Sequence, residues 1–150
     1  MHTHHIAQIN IARIKGVTIN DPIMKEFVDN LDLVNGIAEK SKGFVWRLKE
    51  DSRDTNNTHP YQDEQVIATV SVWESIEDLE NFMYTSLHGD FLKRRKEWFQ
   101  RYGKVSAALW WTAPGQYPTF QEALDKLAHL QQYGPSEKVF DFKVKFPRPN

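Results

Sequence analysis

Apolar and polar positions alternate at the start of the chain. From Ile6 to Ile14, Ile9 and Ile11 stand against Gln8, Asn10 and Ala12, the two-residue period of a strand with one polar side. Asn20-Asp21-Pro22 follows. Asp21 suits a helix N-cap and Pro22 the first helical position. Phe27, Leu31, Val34 and Ile37 then recur at helical spacing until Ser41-Lys42-Gly43. Phe44 to Lys49 reads as a second strand, and the polar Asp51–Asp63 segment as a loop. The β-branched run Val66 to Trp73 predicts a third strand buried on both faces. Ser75 opens a helix with Asp78 in a weak capping box, and its pattern runs to about Tyr102 with a break near Gly89. Val105 to Thr112 is a fourth strand. Thr119-Phe120-Gln121-Glu122 caps a short helix bearing Leu124, Leu127 and Leu130, which Gly134-Pro135 stops. Val139 to Phe146 is a last strand or an arm, closed by Pro147 and Pro149.

The order strand, helix, strand, strand, helix, strand is the split βαβ pattern of a ferredoxin-like α+β fold, here with an added C-terminal helix and tail. There is no repeat or linker, so residues 1–150 read as one domain. Such a sheet carries helices on one face only. The fourth strand nevertheless has Val105, Ala107, Leu109 and Trp111 on one side and Ala108 and Trp110 on the other. The second face needs a cover. A partner's sheet would supply it in a homodimer; the alternative is the chain's own C-terminal helix and tail.

Composition narrows the chemistry. The chain has no cysteine, which removes disulfides, thiolate metal sites and a cysteine nucleophile. A net charge of -1 offers no basic excess for nucleic acid. No apolar run approaches the ~20 residues of a membrane span, and no secretory signal is apparent at Met1–Asn10, so a cytoplasmic protein is expected. The Asn56-Asn57-Thr58 sequon is disregarded for the same reason. Aromatics, 13% of residues with five Trp, are enough to fill a core and also to wall a ligand pocket.

The segments His5-Ile6-Ala7-Gln8-Ile9-Asn10, Gly43-Phe44-Val45-Trp46-Arg47-Leu48, Ser71-Val72-Trp73-Glu74, His88 through Trp98-Phe99, and Leu109-Trp110-Trp111 carry a resemblance over nearly the whole chain. It resembles an uncharacterised bacterial domain-of-unknown-function family in the dimeric α/β barrel superfamily, near the antibiotic-biosynthesis monooxygenase-like proteins. The resemblance implies a dimeric α/β barrel and a homodimer, and brings no established activity. Superfamily members include cofactor-independent monooxygenases and haem-degrading monooxygenases. The latter resemble this chain in an Asn on the first strand, a Trp near the third and a His on the next helix, the order of Asn10, Trp73 and His88, although Trp73 and His88 stand further apart here.

Two constellations carry candidate chemistry. Tyr84, His88, Phe91, Arg95, Trp98 and Tyr102 share one face if their helix is continuous. In that aromatic stripe a buried His88 would serve as general base, hydrogen-bond donor or ligand. The plainer reading is a helix face at the sheet's rim. The second set is Gln8, Asn10, Trp46, Arg47, Ser71, Trp73, Trp110 and Trp111, all on strands. Gln8 and Asn10 share a face of the first strand and, if buried, must find partners or line a polar pocket. The catalytic candidates are thus His88, Asn10 and Trp73. Gln8, Trp46, Arg47, Tyr84, Phe91, Arg95, Trp110 and Trp111 are ligand-binding candidates, with no metal site and no cofactor expected. The His2, His4, His5 group reads as an N-terminal arm, and Lys93-Arg94-Arg95-Lys96 as a solvated helix face. Three functional readings stand side by side: a small-molecule-binding protein or monooxygenase acting on an aromatic or phenolic substrate, a haem-binding protein with His88 as axial ligand, and a non-catalytic structural dimer.

Overall fold

In the computed structural model, which describes residues 4–18, 20–48, 65–84, 94–101 and 103–149 (31, 32 and 95 by backbone alone), the first strand, β1 (His5–Ile14), is the centre of the sheet. On one side it pairs with β3 (Val66–Trp73), which pairs in turn with β2 (Phe44–Arg47). On the other side β1 pairs with β5 (Ala107–Thr112) at its start and with the short β4 (Phe99–Gln100) at its end. Every pairing is antiparallel, and the strand order is ferredoxin-like.

The helices divide between the two faces. A 3₁₀ turn (Pro22–Met24), α1 (Lys25–Asp29), α2 (Leu31–Lys40), α3 (Ile76–Tyr84) and α4 (Arg95–Trp98) belong to the face that carries Ile6, Ile14 and Trp73. Ala38, Ile76 and Leu79 pack there with Ile6, Trp73 and Leu109; Met24 and Trp98 pack with Ile14. The opposite face carries Ala7, Ile9, Ile11, Val70, Val72, Ala108 and Trp110 and is covered by α5 (Phe120–Tyr133) through Ala123, Leu127 and Leu130. Each leucine of this kind taken out of water contributes roughly 1.5–3 kcal/mol. The chain's own C-terminal helix therefore supplies the cover that the second apolar face requires. The motive for a partner's sheet at that face is removed, because the space is already filled.

After α5 the chain returns across the edge of β5. Val139 packs on the α5 face, while the next residue, Phe140, packs on the other. Between them the backbone closes on the edge strand, with Leu109 and Phe140 exchanging two 2.8 Å hydrogen bonds. The tail then lies on the α2–α3 face through Phe142 and Phe146. It is tied down by the Trp111 indole N–H, which donates to the Phe146 carbonyl at 3.0 Å, and by Arg148, which donates to the His4 and Glu74 carbonyls.

Three expectations change. The first helix is broken at Asn30, whose side-chain amide donates to the Glu26 carbonyl (2.8 Å) in the last turn of α1. The second helix does not run to Tyr102: α3 is described as far as Tyr84, and after α4 the chain is already a strand at Phe99–Gln100, paired with Arg13 and Ile14. Trp98 and Phe99 are drawn toward Ile14, Met24 and Phe27, and this packing overrides the helical period. Finally, β3 is not buried on both faces throughout, since Thr69 is exposed.

Candidate functional site

Antiparallel register sets the α2–α3 face out as rows across the strands. One row is Phe44, Trp73, Ile6 and Trp111, all apolar or aromatic. The next is Arg47, Ser71, Gln8 and Leu109, and the one after it Thr69, Asn10 and Ala107. Further along β1, Ile14 returns the face to the apolar cluster of Met24 and Trp98. A polar band two rows deep thus crosses the middle of the sheet between two hydrophobic clusters. Asn10 sits on the central strand with neighbours on both sides, yet it is exposed, as is Thr69 opposite it. Middle positions of a central strand are ordinarily covered, so this band is an opening in the packing.

The band is hydrogen-bonded from below. Gln8 donates through Nε2 to Ser71 Oγ at 2.8 Å, and the Trp73 indole N–H donates to the same oxygen at 3.0 Å. The Trp73 ring, 1% exposed, therefore reaches from the aromatic row onto the polar one. It is held edge-on by Phe44 (centroids 5.5 Å apart, 86°) and stacked by Phe82 of α3 (5.3 Å, 25°). At the β2 end of the polar row Arg47 donates through Nε to Glu39 of α2 at 2.8 Å. Arg47 is half-buried and Glu39 exposed, and the two line a cleft of about 410 Å³ with Phe44, Val45 and Trp46. A second cleft, of about 440 Å³, lies apart from the band, between the 3₁₀ turn, α1 and α4. There Arg94 holds both Glu26 oxygens at 2.7 Å and Glu97 at 2.6 Å while lying over the Trp98 ring, 4.7 Å from its centroid. The hydrogen bonds from Arg94 hold the Glu26 and Glu97 carboxyls below their usual range and raise the guanidinium's own pKa. Arg94 is thus a surface clamp that joins α1 to α4.

Of the expected site residues, the structure brings Gln8, Asn10, Arg47 and Trp73 to one face. Trp111 is on the same face at the β5 end, under the tail. Trp46 and Trp110 are not there. Trp110 lies opposite Ala7 and is buried on the α5 face. Trp46 lies opposite Val72 and stacks on Tyr117 (5.0 Å, 4°) beside the α5-face core. Tyr84, the last described residue of α3, is 59% exposed. Arg95 belongs to α4 by its backbone, its side chain lying outside the described residues, as do His88 and Phe91. Ser71 is the residue that gains most: it accepts from both Gln8 and Trp73, a junction visible only once the register is known.

In chemical terms the described band offers amides, hydroxyls and a guanidinium beside an aromatic wall. It can orient a planar molecule and stabilise negative charge on it. At the β2 end of the polar row the Glu39 carboxylate is engaged by Arg47.

The fold and the band define a ferredoxin-like α+β domain with a polar, aromatic-walled strip on its helix-bearing face. Residues 5–150 match the family described as Domain of unknown function (DUF3291), and the chain belongs to that family. The strand and helix segments singled out in the sequence all lie within that match. No curated protein matches the chain. Among solved structures, a conserved protein from Methanosarcina mazei Go1 is similar in fold, with a TM-score of 0.51 at 8% identity over 72% of this chain and 92% of that one. SnoaB, a cofactor-independent oxygenase from Streptomyces nogalater, matches with a TM-score of 0.49 at 13% identity over 77% of this chain and 99% of its own. Among the described residues, no helix is long and apolar enough to cross a membrane.

Proposed function

We propose that the chain binds a planar aromatic small molecule on the α2–α3 face, its ring against the half-buried Phe44 and Phe82 that enclose Trp73 and its polar substituents over Ser71, Gln8 and Asn10. One observation carries this reading: an exposed amide, Asn10, in the middle of the central strand, beside a hydrogen-bonded polar row and between two packed apolar clusters. A purely structural sheet would fill that position with an apolar residue, as the α5 face does at Ile9.

The most specific form of the proposal is a cofactor-independent monooxygenase acting on a phenolic substrate. Removing the phenol proton gives an electron-rich anion that can react with oxygen, so the site needs a base, donors to steady the anion and a dry wall. Phe44 and Phe82, packed on Trp73, supply the wall and Asn10 a donor; His88 is the base in this reading. The haem alternative rests wholly on His88, because the described positions of β1 and β3 on this face contain no imidazole. The remaining described His on β1, His5, shares the parity of Ala7 and Ile9 and so the α5 face. The structural dimer loses its motive where α5 fills the second face. A homodimer of this chain, as the superfamily resemblance implies, would be built on other surface.

A thermal-shift screen of phenols, quinones and haem tests the proposal. Asn10→Ala is expected to change stability by less than about 0.5 kcal/mol, as at an exposed position, while weakening whichever phenol or quinone protects the native state. Marked destabilisation by Asn10→Ala with no protecting ligand would contradict it.

A further inference from the structure

We infer that Ser71 is the polarity-determining residue of this site, and that with Arg47 it selects aromatic ligands carrying an oxyanion (phenolate, enolate or carboxylate) over those carrying a cationic or donor group. The inference deepens the small-molecule reading above and rests on it.

The argument is a count of hydrogen-bonding capacity. A serine hydroxyl has two acceptor lone pairs and one proton. Both lone pairs of Ser71 Oγ are taken, one by Gln8 Nε2 at 2.8 Å and one by the Trp73 indole N–H at 3.0 Å. An indole N–H can only donate, and the Trp73 ring is fixed by Phe44 and Phe82, so this arrangement is rigid. What Ser71 has left to offer is its proton. Its neighbours within the row cannot take it: on one side stands Arg47, which only donates, and on the other the Gln8 amide presents its nitrogen. The acceptor has to come from above the sheet, where the band is open at Thr69 and Asn10. A hydroxyl that already accepts two hydrogen bonds is a better donor than a free one, because the bonds of such a chain polarise each other.

Arg47 adds N–H donors to the same edge. Its pairing with Glu39 holds the guanidinium through Nε, and the remaining guanidinium N–H groups are of the kind that a carboxylate or phenolate accepts from. Serine and arginine together make the row donor-rich, with the aromatic wall one row away, about 7 Å along the strands. A flat ring lying on Phe44 and Phe82, beside the buried Trp73, with an oxygen anion at its edge matches both.

Naphthalene-2-carboxylate and naphthalen-2-ylmethylammonium present the same ring with opposite polarity. Their affinities for the full chain, measured by calorimetry, test the inference. The expected result is that the carboxylate binds at least about tenfold more tightly, that Ser71→Ala weakens it by about tenfold, a hydrogen bond to a charged group being lost, and that Ser71→Thr restores it. Any ammonium binding should be indifferent to Ser71→Ala. Arg47→Gln should weaken the carboxylate alone. A thermal melt of Ser71→Ala and Ser71→Thr checks that both are folded at the titration temperature, and Arg47→Gln carries the test if the first is not. Carboxylate binding unchanged in Ser71→Ala and Arg47→Gln, or an ammonium preference, would overturn the polarity rule while leaving the site in place. If neither probe binds and the Trp73 indole resonance stays unmoved in both titrations, the small-molecule reading itself fails and the polarity rule with it.

Discussion

Single residues decide where this sheet opens and where it closes. Gly43 is the clearest case of closure. It lies between α2 and β2 with φ at +83°, a conformation that side chains other than glycine's rarely adopt, and its carbonyl accepts from Glu74 N–H at 2.7 Å. A Cβ placed there would collide with Asp78 at the start of α3, whose N–H is held by Ser75 Oγ at 3.1 Å. Gly43→Ala should therefore cost about 2 kcal/mol or more through backbone strain and displacement of α3, which carries Phe82 against Trp73. Chemical denaturation measures this, and a change below about 0.5 kcal/mol would show that the α2–β2 turn is looser than described. The local chemistry of such positions is legible in sequence. Asp21 caps through its side chain as expected, Thr119 accepts from Glu122 N–H at 3.0 Å, and Gly134 ends α5 with φ at 78°. The Ser71 junction is not legible, because it depends on which residue of β1 faces which residue of β3.

At the scale of elements, parity and packing account for what the sequence conceals. Trp110 and Trp111 are adjacent, so a strand must send them to opposite faces. Trp46 is less transparent. Phe44 and Trp46 would share a face in a regular strand, but an irregularity between them places Phe44 opposite Trp73 and Trp46 opposite Val72. The extra residue flips Trp46 to the α5 face, as a β-bulge does. The supposed long helix fails for another reason. Its aromatic spacing is real, but Trp98 and Phe99 find a better partner in Ile14, Met24 and Phe27 than in a continued helix. Arg94 fastens this region by joining Glu26 of α1 to Glu97 of α4. Both carboxyls are held below their usual range in the folded state, so their contribution is present above the ordinary carboxylate pKa and is lost as pH falls through the lowered one. Arg94 stays charged throughout. The melting temperature of Arg94→Ala should accordingly lie below that of the wild type at pH 7 by a small margin. The margin should shrink below about pH 4 and in high salt, because these groups are exposed. A margin independent of pH would place the effect in the stacking on Trp98 rather than in the ion pairs.

For the whole molecule, the main question that the sequence left open is what covers the second apolar face. The clue was present in the Leu124, Leu127 and Leu130 stripe, but a helix stripe does not say whose sheet it meets. Here it meets its own, and Leu127 is fully buried against it. Leu127→Ala should then cost about 2–5 kcal/mol, and the denaturation midpoint should not depend on protein concentration at that face. If instead a partner's sheet occupied the face, α5 would stand outside. The substitution would cost under about 0.5 kcal/mol, and midpoints would rise with concentration.

With the α5 face filled, the α2–α3 face is where this fold leaves polar groups open, and the central claim is that an aromatic ligand lies there. Each of the five tryptophans gives one indole N–H resonance, and their positions divide the molecule. Trp73 donates to Ser71 beneath the band, Trp46 and Trp110 belong to the α5 face, Trp98 to the α1–α4 cluster, and Trp111 lies under the tail. Titration of the ¹⁵N-labelled chain with a phenol or naphthoate should move the Trp73 indole together with the side-chain amides of Gln8 and Asn10, and leave Trp46 and Trp110 in place. Saturable binding that moves Trp46 or Trp110 while Trp73, Gln8 and Asn10 stay fixed would contradict the account.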